Sequence, residues 1–171
     1  MLNNKVIKIY TDGSCDNKKK DNGGCGIIIR YGNYELKKSI GRYINTTSAR
    51  MEIRGVLEAL RFVQDKTIPC HIYCDNQYVV KSISEKWAEN WEKQEWEGTT
   101  RESNGVATTL RVNTDLWKQV LEEIRKFPRD YIQMYWVKGH DGHVENELCD
   151  ILAKQGAQIV EEIDDKENLY F

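Results

Sequence analysis

Apolar and polar residues alternate from the start of the chain. Val6, Ile7, Ile9 and Tyr10, interrupted by Lys8, predict a half-buried strand over residues 5–11. Residues 12–24 are polar and glycine-rich, with Lys18, Lys19 and Lys20 in a row, and predict a loop. Two more strands follow at Cys25–Tyr31 and Tyr34–Tyr43, joined by a tight turn at Gly32-Asn33. The period then changes. Ile53, Val56, Leu57, Leu60 and Val63 recur at helical spacing, with Thr47 or Ser48 available as the cap. Pro69 leads into a fourth strand, Cys70–Asp75. Residues 77–97 carry a helical pattern, 98–112 predict a loop rich in Gly, Thr and Ser, and 114–127 are helical up to Pro128. A fifth strand, Tyr131–Val137, passes through the Gly- and His-rich loop 138–143 into a last helix from about Val144 to Val160. There is neither an internal repeat nor a linker, so this order predicts one mixed α/β domain.

Composition adds limits rather than direction. A chain of 171 residues, 40% apolar and 30% charged, suits one soluble domain with an adequate core. No apolar stretch approaches the roughly 20 residues of a membrane span, and Met1–Lys5 lacks the apolar core of a signal peptide. The five cysteines (Cys15, Cys25, Cys70, Cys74, Cys149) are odd in number and form no C-x-x-C pair. Free thiols in a reducing, cytoplasmic setting are expected, with no disulfide framework and no structural zinc. Acidic residues crowd positions 161–171, so the net charge of −2 conceals a mildly basic body over 1–160. Residues 161–171 are expected to be a solvated acidic tail, and Glu167-Asn168-Leu169-Tyr170-Phe171 resembles the start of a protease-recognition sequence used in expression tags. The mildly basic body permits a nucleic-acid partner without arguing strongly for one.

Candidate chemistry rests on four carboxylates. Asp12 and Asp75 close apolar strand runs, Glu52 opens a helical pattern, and Asp150 follows a Gly- and His-rich loop on another helix. If the fold gathers them, they can hold hard divalent cations through oxygen, as metal-assisted phosphodiester hydrolysis requires. Each also has a plain structural reading: Asp12 a turn residue, Glu52 a partner of the helix dipole, Asp75 a helix cap, Asp150 a surface charge.

The motifs decide between these readings. Thr11-Asp12-Gly13-Ser14-Cys15, Arg50-Met51-Glu52, Cys74-Asp75-Asn76-Gln77-Tyr78-Val79, Trp136-Val137-Lys138-Gly139-His140 and Gly142-His143-Val144-Glu145-Asn146-Glu147-Leu148-Cys149-Asp150 resemble type 1 ribonuclease H. They occur in family order over residues 5 to 160. The resemblance implies a ribonuclease H-like α/β fold, a five-stranded mixed sheet flanked by helices. It also implies a monomer that cleaves the RNA strand of RNA–DNA hybrids. Asp12, Glu52, Asp75 and Asp150 would hold two Mg²⁺ ions, with Mn²⁺ also accepted. His140, in its Gly-flanked loop, would protonate the leaving group or help product depart. His143 is expected to be structural, and Asn146 to orient the loop.

The substrate-binding positions depart from the family pattern. A polar amide pair usual between the Thr-Thr and Arg-Met-Glu segments is Ser48 and Ala49 here, and Ala49 offers no hydrogen bond. Asn17 stands near the position of a family asparagine, and Gln77 is the better minor-groove candidate. Thr47 and Asn113 match residues that grip a DNA phosphate in some members, whereas an arginine of some relatives is Asn45 here. Trp87, Trp91 and Trp96 resemble the aromatic series of the family's protruding handle, and they are expected to serve packing rather than base stacking. That handle is usually basic. Here residues 85–103 set six glutamates against Lys86, Lys93 and Arg101, which predicts weaker hybrid binding, with Lys18–Lys20 available to compensate. Two rival readings follow from the same residues: a module that binds hybrid or RNA without cutting, and a DNA nuclease on the same fold.

Overall fold

The structure, a computed structural model, describes residues 5–16, 21–102 and 105–165. Three antiparallel strands come first: β1 (Ile7–Asp16), β2 (Asp21–Tyr31) and β3 (Tyr34–Ile44). Helix α1 (Ser48–Phe62) follows, then β4 (Cys70–Cys74), α2 (Gln77–Ser84) and α3 (Trp87–Lys93). A hairpin, β5 (Glu97–Glu102) and β6 (Gly105–Leu110), precedes α4 (Thr114–Ile124), β7 (Ile132–Trp136), α5 (Val144–Gly156) and β8 (Ile163–Asp164). The main sheet runs in the order β7-β4-β1-β2-β3-β8, with β4 parallel to both β1 and β7. The expected mixed α/β fold is present, with six strands in the sheet instead of five.

The two-residue period of each strand sorts side chains between two faces. Ile7, Ile9, Ile27, Ile29 and Ile72 point toward α1 and α4, where they meet Ile53, Val56, Leu57, Leu60, Leu116, Trp117 and Val120. Burial of each such side chain contributes about 1.5–3 kcal/mol. The opposite face carries Tyr10 and Ile28 against Cys149 of α5, with Leu148 and Leu152 alongside. Gly26 lets α5 come this close, because a Cβ there would lie 2.0 Å from the Cys149 carbonyl oxygen. All five cysteines are free.

Four differences from the sequence expectation have physical causes. The predicted loop 12–24 shortens, because β1 continues to Asp16 and β2 starts at Asp21, so their pairing runs past the apolar stretch. The helical pattern 77–97 breaks at Lys86, which sits in the left-handed region at φ 60° and starts α3 in a new direction. The predicted loop 98–112 is instead the β5–β6 hairpin. Its β-branched residues suit strand pairing, which the loop-like composition obscured. Finally, the expected acidic tail rejoins the fold. β8 pairs in parallel with the open edge of β3, and Asp165 is fully buried between two arginines that need its charge. The tag-like residues 166–171 lie outside the described residues.

Candidate active site

The parallel pairing of β1 with β4 sets Thr11 opposite Cys74, so Asp12 and Asp75 emerge side by side at one end of the sheet. Glu52 reaches the same end from the N-terminal part of α1. That approach depends on Gly13: a Cβ there would lie 2.5 Å from the Glu52 backbone nitrogen. Asp150 enters from α5 on the other side of the sheet. Four segments far apart in sequence thus converge.

Their charges are poorly compensated. The Gly13 N–H donates to Asp12 Oδ1 at 2.8 Å. Even so, burial, assisted by the Asp75 charge, raises the Asp12 pKa to about 7; Asp150 adds to the rise, and hydrogen bonds from Gly13 and Glu52 oppose it. Burial, then the charges of Asp12 and Asp75, push the Glu52 carboxyl well above the usual range. One oxygen of Glu52 interacts with Asp12, while Oε2 is buried with no hydrogen-bond partner. Asp75 is better supported, with Oδ2 accepting from Asn146 Nδ2 at 3.3 Å. The Trp136 indole N–H donates to its backbone carbonyl at 2.9 Å. Asp150 pairs with Lys154 at 2.7 Å, one helical turn on.

This donor set fits a hard divalent cation. Oxygens of Glu52 and Asp75 and the sulfur of Cys74 lie within 4.8 Å of one another. Burial pushes the Cys74 thiol far above its ordinary pKa, so it stays protonated and serves as core wall rather than ligand. The carboxylates remain as ligands. An orphaned buried oxygen and a neighbouring acid held neutral by crowding are what a bound cation would relieve.

His140 lies on the loop between β7 and α5, exposed and in the left-handed region at φ 54°. Gly139, just before it, sits where a Cβ would come 2.8 Å from Asp75 Oδ2, which brings the loop against the carboxylates. His143 caps α5: its Nδ1 accepts from the Asn146 N–H at 3.3 Å, and its ring packs 5.9 Å from Tyr10. Asn146, expected to orient the loop, donates its side-chain N–H to Asp75 Oδ2.

The substrate candidates separate into two groups and one absentee. Thr47 caps α1, its Oγ1 accepting from the Arg50 N–H at 3.3 Å, and Ser48 Oγ donates to the Cys15 carbonyl at 3.5 Å. Asn113 begins α4 in the left-handed region, and its Oδ1 accepts from Arg50 Nη1 at 3.4 Å. Gln77 stands apart from these, exposed at the start of α2 beside Trp136, Val80 and Lys81. Asn17 and Lys18–Lys20 lie outside the described residues. The handle tryptophans serve packing: Trp91 meets Tyr78 and Trp117 at 6.0 and 5.9 Å, and Trp96 is buried. Sequence reasoning missed the pairing of Arg50 and Arg54 with Asp165 and Asp115. Their spacing of four residues on one helix face was the available signal.

Comparison with known proteins agrees with the geometry. The family model described as RNase H matches residues 4–158. Ribonuclease HI of Haemophilus influenzae is 44% identical over 156 residues, covering 90% of this chain and 91% of the relative. Ribonuclease HI of Pasteurella multocida is 42% identical with the same coverage. Ribonuclease H of Campylobacter jejuni is 38% identical over 165 residues, covering 95% and 99%. Among solved structures, LC9-RNase H1, described as a type 1 RNase H with the type 2 active-site motif, superposes with a TM-score of 0.68 at 23% identity, covering 92% of this chain and 74% of that one. A foamy viral protease-reverse transcriptase in complex with RNA/DNA hybrid gives 0.66 at 20% identity, covering 92% and 21%. At those identities the structural matches speak for the fold, whereas the sequence matches span nearly the whole of both partners. A four-carboxylate cluster built on this sheet, together with that breadth of sequence agreement, leads to one conclusion: the chain belongs to the ribonuclease H family and is a hydrolytic nuclease.

Proposed function

We propose that the chain is an endoribonuclease that hydrolyses the RNA strand of RNA–DNA hybrids, with Asp12, Glu52, Asp75 and Asp150 holding two divalent cations. The observation that carries this reading is Glu52 Oε2, buried without a partner beside an Asp12 raised to about 7. The four carboxylates would hold the cations, which would supply Lewis-acid activation of water and neutralisation of the charge that develops on the departing oxygen. Mg²⁺ is the preferred ion, because it accepts carboxylates while keeping sites for water and phosphate, and Mn²⁺ is an acceptable substitute.

The protein side of the chemistry is positioning. The Gly13 N–H restrains one oxygen of Asp12, and the Asn146 side chain restrains one oxygen of Asp75. His140 delivers a proton to the departing 3′ oxygen or eases product release from its exposed loop. Thr47 and Asn113 hold a phosphate of the DNA strand, while Gln77, Ser48 and Asn17 approach the minor groove. The protein acts as a cytoplasmic monomer; among the described residues no helix is long and apolar enough to cross a membrane.

The test is cleavage of a hybrid labelled on either strand, beside double-stranded RNA and double-stranded DNA, with Mg²⁺ and with Mn²⁺. RNA-strand cutting that disappears in Asp75→Asn supports the reading. Binding without cutting would select the non-cleaving module, and cutting of DNA alone would select the DNA nuclease.

A further inference from the structure

One charged cluster lies away from the carboxylate site. β8 brings the Asp165 carboxylate against α1, where it meets Thr46, which precedes Thr47, Arg50, which bonds both Thr47 and Asn113, and Arg54. Asp165 Oδ2 accepts from Thr46 Oγ1 at 2.8 Å and from Arg50 Nε; Oδ1 accepts from Arg54 Nε at 3.1 Å and from Arg54 Nη2. The Asp165 N–H donates to the Ile44 carbonyl at 3.1 Å, and Asn45 Nδ2 donates to Asp164 Oδ2 at 3.1 Å. The C-terminal strand therefore fastens the 44–46 turn immediately before Thr47.

Arg50 carries this restraint across to α4. With Nε held by Asp165, its two terminal nitrogens reach Asp115 at 2.9 and 2.6 Å, and Nη1 also donates to Asn113 Oδ1 at 3.4 Å. The Asn113 side chain makes no capping bond to α4. Its amide orientation is set by Arg50: the oxygen turns toward the guanidinium, which leaves the Nδ2 hydrogens as the donor end. Thr47 is arranged alike. Its Oγ1 accepts from the Arg50 N–H, which leaves the hydroxyl hydrogen to donate. The Thr47 hydroxyl is oriented by the Arg50 backbone within the α1 cap, whereas the Asn113 donor depends on the Arg50 side chain that Asp165 holds.

We infer that Asp165 is a positioning residue for the DNA strand of the hybrid: it holds the Arg50 side chain so that Asn113, acting with Thr47, presents its donors to a phosphate. The inference rests on the reading that these two residues bind that phosphate. Asp165 touches neither substrate nor the carboxylate cluster and acts through Arg50. A chain lacking β8 would keep all four carboxylates and lose grip on its substrate. Asp165, in the stretch expected to be a solvated acidic tail, becomes part of the binding apparatus.

The experiment is a double-mutant cycle on hybrid cleavage, using Asp165→Asn, Asn113→Ala and the pair, with KM and kcat measured separately. Removing one partner of a buried ion pair also lowers stability, so assays are run at a temperature where circular dichroism shows each variant folded. Asp165→Asn is expected to raise KM about tenfold, the loss of one hydrogen bond to a charged group, with kcat within about twofold of the parent. In the Asn113→Ala background the same change adds little, because its effect already passes through Asn113. Arg50→Lys supplies a second variant that keeps the charge but loses the fork; it should raise KM similarly. A fall in kcat at constant KM, or losses that multiply in the double variant, would overturn the positioning role while wild-type cleavage leaves the enzyme reading intact. Absence of cleavage by the wild type would overturn both.

Discussion

Helix α1 separates two regions built from the same residue types to opposite ends. On one side Glu52 meets Asp12 and Asp75, three acids with little positive charge to balance them. On the other, Arg50 and Arg54 meet Asp115 and Asp165, two cations against two anions with nearly every donor spent. The first region holds Asp12 and Glu52 above their ordinary pKa values, and the second holds Asp165 below its own. A cluster that resists ionisation weakens the metal-free fold, and a cluster that favours it supports the fold. The repelling group has the oxygen donors and uncompensated charge that suit a cation, and the balanced group braces α1.

The largest effect expected from this contrast is on cleavage. Asp75→Asn should reduce the rate at least about a thousandfold, because it removes an anchoring oxygen for the cations. The fold should survive, since the change also removes repulsion. Single-turnover cleavage paired with circular dichroism checks both halves. A variant that still cuts at a tenth of the parent rate would deny Asp75 its place in the cation site.

Stability should respond on the opposite side of the helix. Asp165→Asn leaves Arg54 buried without its anion and is expected to cost about 3 kcal/mol, equivalent to a Tm lower by roughly 10 °C. Scanning calorimetry of the metal-free protein reads this directly. An unchanged Tm would mean that β8 docks without bracing α1.

His140→Ala belongs to neither cluster and should have an intermediate effect, a fall in kcat of about ten- to a hundredfold with measurable cleavage remaining. A loss equal to that of Asp75→Asn would place His140 among the indispensable groups.

These two regions were not equally legible. The carboxylates could be singled out from sequence because they stand in short motifs that are weak singly and specific together in their order: Asp12 before Gly13, Glu52 after Arg50-Met51, Asp75 before Asn76, Asp150 after Leu148-Cys149. The brace could not. Asp165 sits in a stretch whose local composition reads as solvated, and only the open edge of β3 and the waiting arginines draw it in. The hairpin failed for a related reason, as its threonines satisfy loop and strand patterns equally until pairing partners are known. The kink at Lys86 was hidden as well, because helical periodicity runs through Glu85–Trp87 while the backbone turns at one left-handed residue. Periodicity found the elements, and motifs found the acids. Long-range ion pairs left only the four-residue spacing of Arg50 and Arg54 as a trace.

The smallest effect is the most discriminating, because the two clusters pull stability in opposite directions as pH changes. Asp12 titrates near 7 in the fold against an ordinary value of 3.8, so the folded state binds its proton more tightly than the unfolded chain. Its contribution is fully present below the ordinary value and is lost as pH rises toward about 7. Asp165 is held below its ordinary value, chiefly by its hydrogen bond from Arg50 and the charge of Arg54 against the cost of burial. Its contribution is present above that value and disappears as the solution becomes strongly acidic. Metal-free protein should therefore reach its highest Tm in mildly acidic solution and lose stability on either side. Asp12→Asn should flatten only the alkaline limb and raise the Tm at pH 8 by about 5 °C. Added Mg²⁺ should do the same to the parent, and more strongly at pH 8 than at pH 5.5, because cations bind the ionised acids. A metal-free Tm that climbs steadily from pH 5 to pH 8 would show that Asp12 is already compensated and would remove the physical case for a cation at its side.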